Sequence, residues 1–364
     1  MAKTPARANI PKEIIYLWGA GATQAEIDYL GAHRVNLLMR DSDERGEGVA
    51  TRILARLPKR WKSSFLVDQG ADIEKLISLL ASSNVDVYYK LADRIRRLYF
   101  EDICQALASA KILPDPALAV GLLTLHNNTT FREREVLSGI ITTNHDGLLQ
   151  LAAHKVDAEV NIGIPFRSDE LKPGLNGSLP LLHLHGSFTW TFGLPIQVSL
   201  LSETSTYSPD TVWIPPTILK ESKNYPFNKL AGLAYELLSK RCDVLRVVGS
   251  ALTQNDWPVL SMIFNAQRHR ELTKGAPFRI ELIMPHEAGE AIKRDCSYLK
   301  HLTPIGFLTD GEFATYKDDP NAVTSEMKNQ LSYWLKEKIT FHQKRGDLGT
   351  SVEPAIAKIA GDMP

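Results

Sequence analysis

The sequence predicts an α/β fold, a doubly wound parallel sheet carrying a helical insertion. Three observations carry the prediction. Short apolar runs that end in glycine or polar clusters alternate with longer helical patterns, the signature of strand–helix units. Those runs are continuous rather than alternating, as expected of strands covered on both faces. Between about residues 49 and 135 the pattern is helical with little strand signal.

The first strand is "IIYLW" at 14–18. It is followed by Gly19-Ala20-Gly21 and a helix over about 23–30. Strand, glycine turn and helix form the opening of a Rossmann-like mononucleotide unit. "VNLLM" at 35–39 reads as a second short strand, and "DSDERGEG" at 41–48 as a charged loop. Four or five helices then follow, punctuated by Pro114 and Pro116. Strand signals resume at 139–143, 159–163, 179–186, 243–250 and 278–284, with helices at about 226–240 and 258–271. One last amphipathic helix is expected at about 322–341. The organisation is therefore 1–45 as the first part of the sheet domain, 46–135 as the helical insertion, 136–310 as the remainder and 311–364 as a C-terminal helix and tail.

Composition narrows the function classes. The 364 residues are 44% hydrophobic, enough for a large core. Lys+Arg and Asp+Glu both number 42, so no global basic field calls for direct nucleic-acid binding. Cys104, Cys242 and Cys296 form no CxxC pair, which fits buried thiols in a reducing cytoplasm. No apolar run approaches the ~18 residues of a membrane span. The basic N-terminus lacks the apolar stretch of a secretory signal.

Four strand ends carry polar chemistry. A glycine turn before a helix, as at Gly19–Gly21, lets backbone N–H groups approach a phosphate; it is equally a simple turn. In Thr142-Thr143-Asn144-His145-Asp146, any of Thr143, Asn144 and Asp146 is competent to cap the next helix. Ligands of parallel sheets, however, sit outside the carboxyl ends of strands. His183 and His185 alternate with leucines and are expected on one strand face, as core histidines or as a chelating pair. With no third ligand evident, no metal is expected. Gly249-Ser250 end a strand, and Asp256 is placed to cap the helix begun near Pro258.

In this order the four elements resemble the sirtuin superfamily, and more closely the bacterial sirtuin-like NAD hydrolases of antiviral defence. The family's GAG-x-(S/T) is Gly19-Ala20-Gly21-Ala22-Thr23. Its T-x-N-x-D is Thr142–Asp146, its LHG is Leu184-His185-Gly186, and its late G-(S/T)-(S/A)-L is Gly249-Ser250-Ala251-Leu252. The resemblance covers roughly 14–40 and 138–310. The paired CxxC motifs of the zinc-bearing deacylases are missing, as is their GIPDFR segment, where this chain reads Ile27-Asp28-Tyr29-Leu30-Gly31-Ala32. Both departures argue against protein deacylation and leave NAD cleavage as the shared chemistry.

The resemblance implies NAD as substrate, with no zinc. It places Gly19, Ala20, Gly21 and Thr23 at the pyrophosphate, and Gly249 and Ser250 toward the adenosine half, with Thr143 also in contact. It implies that Asn144 and Asp146 hold the ribose and position water, and that His185 is the general base, either on that water or through a ribose hydroxyl. It further implies control by assembly into a homo-oligomer or by a partner such as a DNA-translocating ATPase or an Argonaute-like protein. The alternatives left open are a deacylase or ADP-ribosyltransferase, and a non-catalytic NAD or ADP-ribose sensor. His145 is left outside the site, because a continuing strand would turn it away from Asn144.

Overall fold

In the computed structural model of the chain, residues 10–283 are described, apart from 30–31, 33, 44, 59–72, 84, 112–115, 128, 134, 175–177, 203–204, 206, 218–222 and 251–255. The expected helix at 322–341, the tail and Cys296 lie outside the described residues.

β1 (Lys12–Trp18) is the apolar run of the first unit, with Ile14 to Trp18 all buried. α1 (Ala20–Tyr29) follows directly. "VNLLM" does not form a strand. The Leu37 N–H donates to Gln24 Oε1 at 2.7 Å and the Leu38 N–H to Asn36 Oδ1 at 3.0 Å. Side chains thus take the donors that a ladder would need.

Five helices come next among the described residues: α2 (Val49–Ala55), α3 (Ile73–Ala81), α4 (Asp86–Ser109), α5 (Ala117–Asn127) and α6 (Thr129–Arg132). Leu118, Ala119, Leu122 and Leu123 of α5 belong to the core under the sheet. α2, α3 and α4 build a second core with Ile27, Leu148, Leu151 and Phe188. α5 is therefore a helix covering the sheet itself, and α2 to α4 form the helical unit beside it. Glu26 joins α5 to α1: its carboxylate accepts from the Leu118 and Ala119 N–H groups at 2.9 and 2.6 Å. Those are otherwise orphan donors at the start of α5.

The remaining elements are β2 (Glu135–Thr142), α7 (Leu148–Lys155), β3 (Val160–Asn161), β4 (Phe166–Arg167), β5 (Leu179–His183), β6 (Gly186–Thr191), β7 (Ile196–Val198), β8 (Thr211–Trp213), α8 (Phe227–Arg241), β9 (Val244–Val248), α9 (Trp257–Lys274) and β10 (Arg279–Ile283). Six strands form an all-parallel sheet in the order β10-β9-β1-β2-β5-β3. Helices flank both faces. Tyr16 of β1 reaches His126 of α5 on one face, while a Cβ on Gly139, which pairs with Ile15, would meet Leu237 of α8 on the other. This is the Rossmann-like α/β architecture.

From β1 the chain winds outward through β2 and β5, then returns to place β9 on the other side of β1. The winding reverses between β1 and β9, and it is at the carboxyl ends of strands at such a reversal that parallel sheets hold their ligands. A second, four-stranded sheet, β4-β7-β6-β8, is entered directly from β5 through the turn Leu184-His185. Among the described residues, no helix is long and apolar enough to cross a membrane.

Candidate functional site

At this switch point the loop after β1 lies on the loop after β9. The Gly19 N–H donates to Val248 O at 2.9 Å and the Gly21 N–H to Gly249 O at 2.7 Å. A Cβ on Gly19 would lie 2.6 Å from the Cα of Ser250, and one on Gly21 2.7 Å from Gly249 O. Gly249 has φ +58°, and its own Cβ would lie 2.1 Å from the Ala22 nitrogen. The three glycines thus permit backbone to touch backbone. The N–H groups of Gly19 and Gly21, expected at a pyrophosphate, are spent inside the protein. Ala20, the first residue of α1, is exposed, and Ser250 is buried against Gly19.

The loop after β2 is tied to the same place. Thr142, the last residue of the strand, donates its hydroxyl to Trp18 O at 2.8 Å and accepts from the Asn144 N–H at 3.0 Å. Asn144 Nδ2 donates to Gly19 O (3.0 Å) and Thr23 Oγ1 (2.9 Å), with Asp146 Oδ2 at 3.3 Å. Thr23 donates to Asp146 Oδ2 at 2.5 Å, and Asp146 Oδ1 accepts from the Leu148 N–H at 3.1 Å. The N-cap position of α7 is Gly147, and Asp146, one residue earlier, only accepts from the first helical N–H, while its other oxygen faces Thr23 and Asn144. Burial raises the Asp146 pKa, and the bonds from Thr23, Leu148 and Asn144 oppose that rise. Thr143 is half-buried, and among the described residues its hydroxyl has no hydrogen bond.

The two histidines of "LLHLHG" part company, because β5 ends at His183 and Leu184-His185 form a turn. His183 Nδ1 lies 3.2 Å from Asn144 O, and its ring packs on Trp190 at 5.5 Å. Burial pushes its pKa down to about 4, so it is a neutral core histidine. Its bond to Asn144 O still serves the site by fixing the backbone there. His185 lies beyond the strand. Gly186 at φ +71° makes its exit possible: a Cβ there would lie 2.2 Å from Val212 O. The ring of His185 lies over that of His145, with centroids 6.0 Å apart and planes at 29°.

His145 is the residue that the sequence reading left out. Its ring packs against Trp213 (5.1 Å) and Phe188 (5.4 Å), and Tyr99 of α4 meets its edge at 6.0 Å. Tyr99 is the second omission: it reaches the site from the helical unit and stacks on Trp213 at 5.9 Å. The signal available for His145 was chemical. A helix cap needs one short polar residue, and a histidine between Asn144 and Asp146 is surplus to that need.

The structure thus brings Gly19, Gly21, Thr23, Asn144, Asp146, Gly249 and Ser250 together at the switch point, with His185 joined to the same loop through His145 and His183. Buried polar groups meet where parallel sheets hold their ligands, and His185 stands against His145 of the same loop. Among the described residues, no group of three or more His, Cys, Asp and Glu could hold a metal ion. No family model matches the chain, and no curated protein matches it in sequence.

Proposed function

We propose that the chain binds NAD across the carboxyl ends of β1, β2 and β9 and hydrolyses its nicotinamide–ribose bond. The observation that carries this reading is the buried bonding of Thr23, Asn144 and Asp146 to one another and to Gly19 at the point where the winding reverses, with His185 against the ring of His145 on the same loop. The order of motifs shared with sirtuin-like NAD hydrolases supports the same reaction.

In this mechanism the C1′–N bond of the nicotinamide ribose breaks, and its electron pair neutralises the pyridinium nitrogen. Water adds to C1′ through an oxocarbenium-like transition state, and His185 takes the proton that water loses. The products are nicotinamide and ADP-ribose. Asn144 spends its amide nitrogen on Gly19 and Thr23, so its Oδ1 is the atom offered to a ribose hydroxyl. Asp146, with both oxygens in protein bonds, holds Asn144 and Thr23 in place. The pyrophosphate is met by donors other than the Gly19 and Gly21 amides, and exposed Ala20 at the start of α1 is the nearest candidate. An effector role in antiphage defence, switched by self-assembly or by a partner protein, extends this proposal.

The test is NAD consumption by the purified chain, with products identified by mass spectrometry. Removing a general base costs ~10²–10⁴ in rate, so His185→Ala is expected to abolish turnover nearly completely, and Asn144→Ala to do the same. Either folded variant keeping more than half of the wild-type rate overturns the assignment. An acylated or protein-linked ADP-ribose product would replace hydrolysis by transfer.

A further inference from the structure

The loop that carries Asn144 also carries the ring of His145, which is held at several points. His145 Nε2 lies 2.9 Å from Ile214 O. A carbonyl only accepts, so Nε2 must bear the proton and the tautomer is fixed. The same residue, Ile214, donates its N–H to His185 O at 2.8 Å. One peptide segment beyond β8 therefore holds the ring of one histidine and the backbone of the other. The carbonyl of His145 is in turn fixed by the Phe188 N–H at 2.8 Å and the Ser187 hydroxyl at 3.1 Å. The ring cannot swing away, since Phe188, Trp213 and Tyr99 surround it.

We infer that His145 is a positioning residue for His185: its immobilised imidazole is the flat surface that sets the plane in which the His185 ring lies. This inference rests on the proposed reaction for its functional consequence, but not for its geometry. A base must sit within hydrogen-bond reach of the proton it removes, and a misplacement of 1 Å costs on the order of 10²-fold in rate. His185 stands on a two-residue turn between two sheets, so a neighbouring ring is a direct means of holding its orientation. Tyr99 extends the pile of rings into α4, so the packing of the helical unit bears on His185 through His145.

The experiment compares wild type, His145→Phe and His145→Ala by steady-state NAD cleavage and by NMR of the histidine rings. Phenylalanine keeps the flat face and loses the bond to Ile214; alanine loses both. The expected result is a kcat lower by ~10²-fold in His145→Ala with KM unchanged, and near-wild-type kcat in His145→Phe. The His185 Hε1 signal should carry a ring-current shift in wild type and His145→Phe that His145→Ala lacks. An alanine variant with wild-type kcat, or with the His185 signal unmoved, overturns the inference. So does a folded phenylalanine variant as impaired as alanine. If wild type does not cleave NAD while the NMR differences appear as stated, the proposed reaction fails and the positioning contact stands. If wild type is active and the signals do not differ, the reverse holds.

Discussion

Replacing Gly249 by alanine tests how the switch point is held together. Gly249 and Gly275 have similar left-handed backbones, φ +58° and +75°, yet a Cβ on Gly275 meets nothing within 4 Å. Gly275→Ala therefore isolates the dihedral cost, about 1–2 kcal/mol for an alanine in this region. Gly249→Ala adds a collision, because its Cβ would lie 2.1 Å from the Ala22 nitrogen and 2.4 Å from the Gly21 carbon. Relieving it requires the two loops to part by about 1 Å or more, and the Gly21 N–H to Gly249 O bond of 2.7 Å then breaks. A buried backbone donor left unsatisfied adds ~1–3 kcal/mol, so Gly249→Ala should cost ~2–5 kcal/mol. In a chain of this size that lowers Tm by ~3–7 °C, against ~1–3 °C for Gly275→Ala. Differential scanning calorimetry reads the difference. Equal Tm values for the two variants would refute the claim that backbone contact, rather than dihedral strain, is what Gly249 serves.

Three further outcomes follow from the same coordinates. Glu135 and Arg246 form a buried two-bond ion pair, at 2.6 and 2.8 Å, so Glu135→Gln should cost ~3–5 kcal/mol in urea denaturation; a loss under 1 kcal/mol would contradict it. His126 and His183 are pushed down to about 3 and about 4, mainly by burial, so the stability they confer is full above the ordinary histidine value. It is lost as the pH falls from about 6.5 toward those values, and His126→Gln should shrink the loss between pH 7 and 4.5 by ~2–3 kcal/mol, read as the shift in urea midpoint. Gly232, inside α8 with nothing within 4 Å of a Cβ, should gain ~0.5–1 kcal/mol on replacement by alanine, and a lower Tm would count against that.

The strands of the six-stranded sheet and their parallel character were legible because buried parallel strands write themselves as unbroken apolar runs; the short strands of the second sheet were not. Val35–Met39 has the same composition but is no strand, since Gln24 and Asn36 supply hydrogen-bond partners that no hydropathy pattern encodes. The strand order could not be read, because it depends on which side of β1 each crossover lands. The motifs at 19–23, 142–146 and 249–250 were expected at the carboxyl ends of strands, and Gly19, Thr23, Asn144 and Ser250 lie together there. What each glycine does there was not legible, for the partner of Gly21 is Gly249, set by the tertiary fold alone. Alternation along a strand put His183 and His185 on one face; it stops applying at His183, where β5 ends and a turn begins. It also removed His145 from consideration, although β2 ends at Thr142. His145 does turn away from the partners of Asn144, but it turns toward His185.

The contact between the first and the penultimate strand of the parallel sheet also sets when the site can exist. Gly19 and Gly21 find their acceptors at Val248 and Gly249, more than two hundred positions later in the chain. During synthesis the first glycine loop emerges long before its counterpart, and contacts of such separation close late. A chain halted between β6 and β9 holds Asn144, Asp146 and His185 but lacks the surface against which the first glycine loop closes. Whatever chemistry the site performs is thereby withheld until nearly the whole sheet has been made.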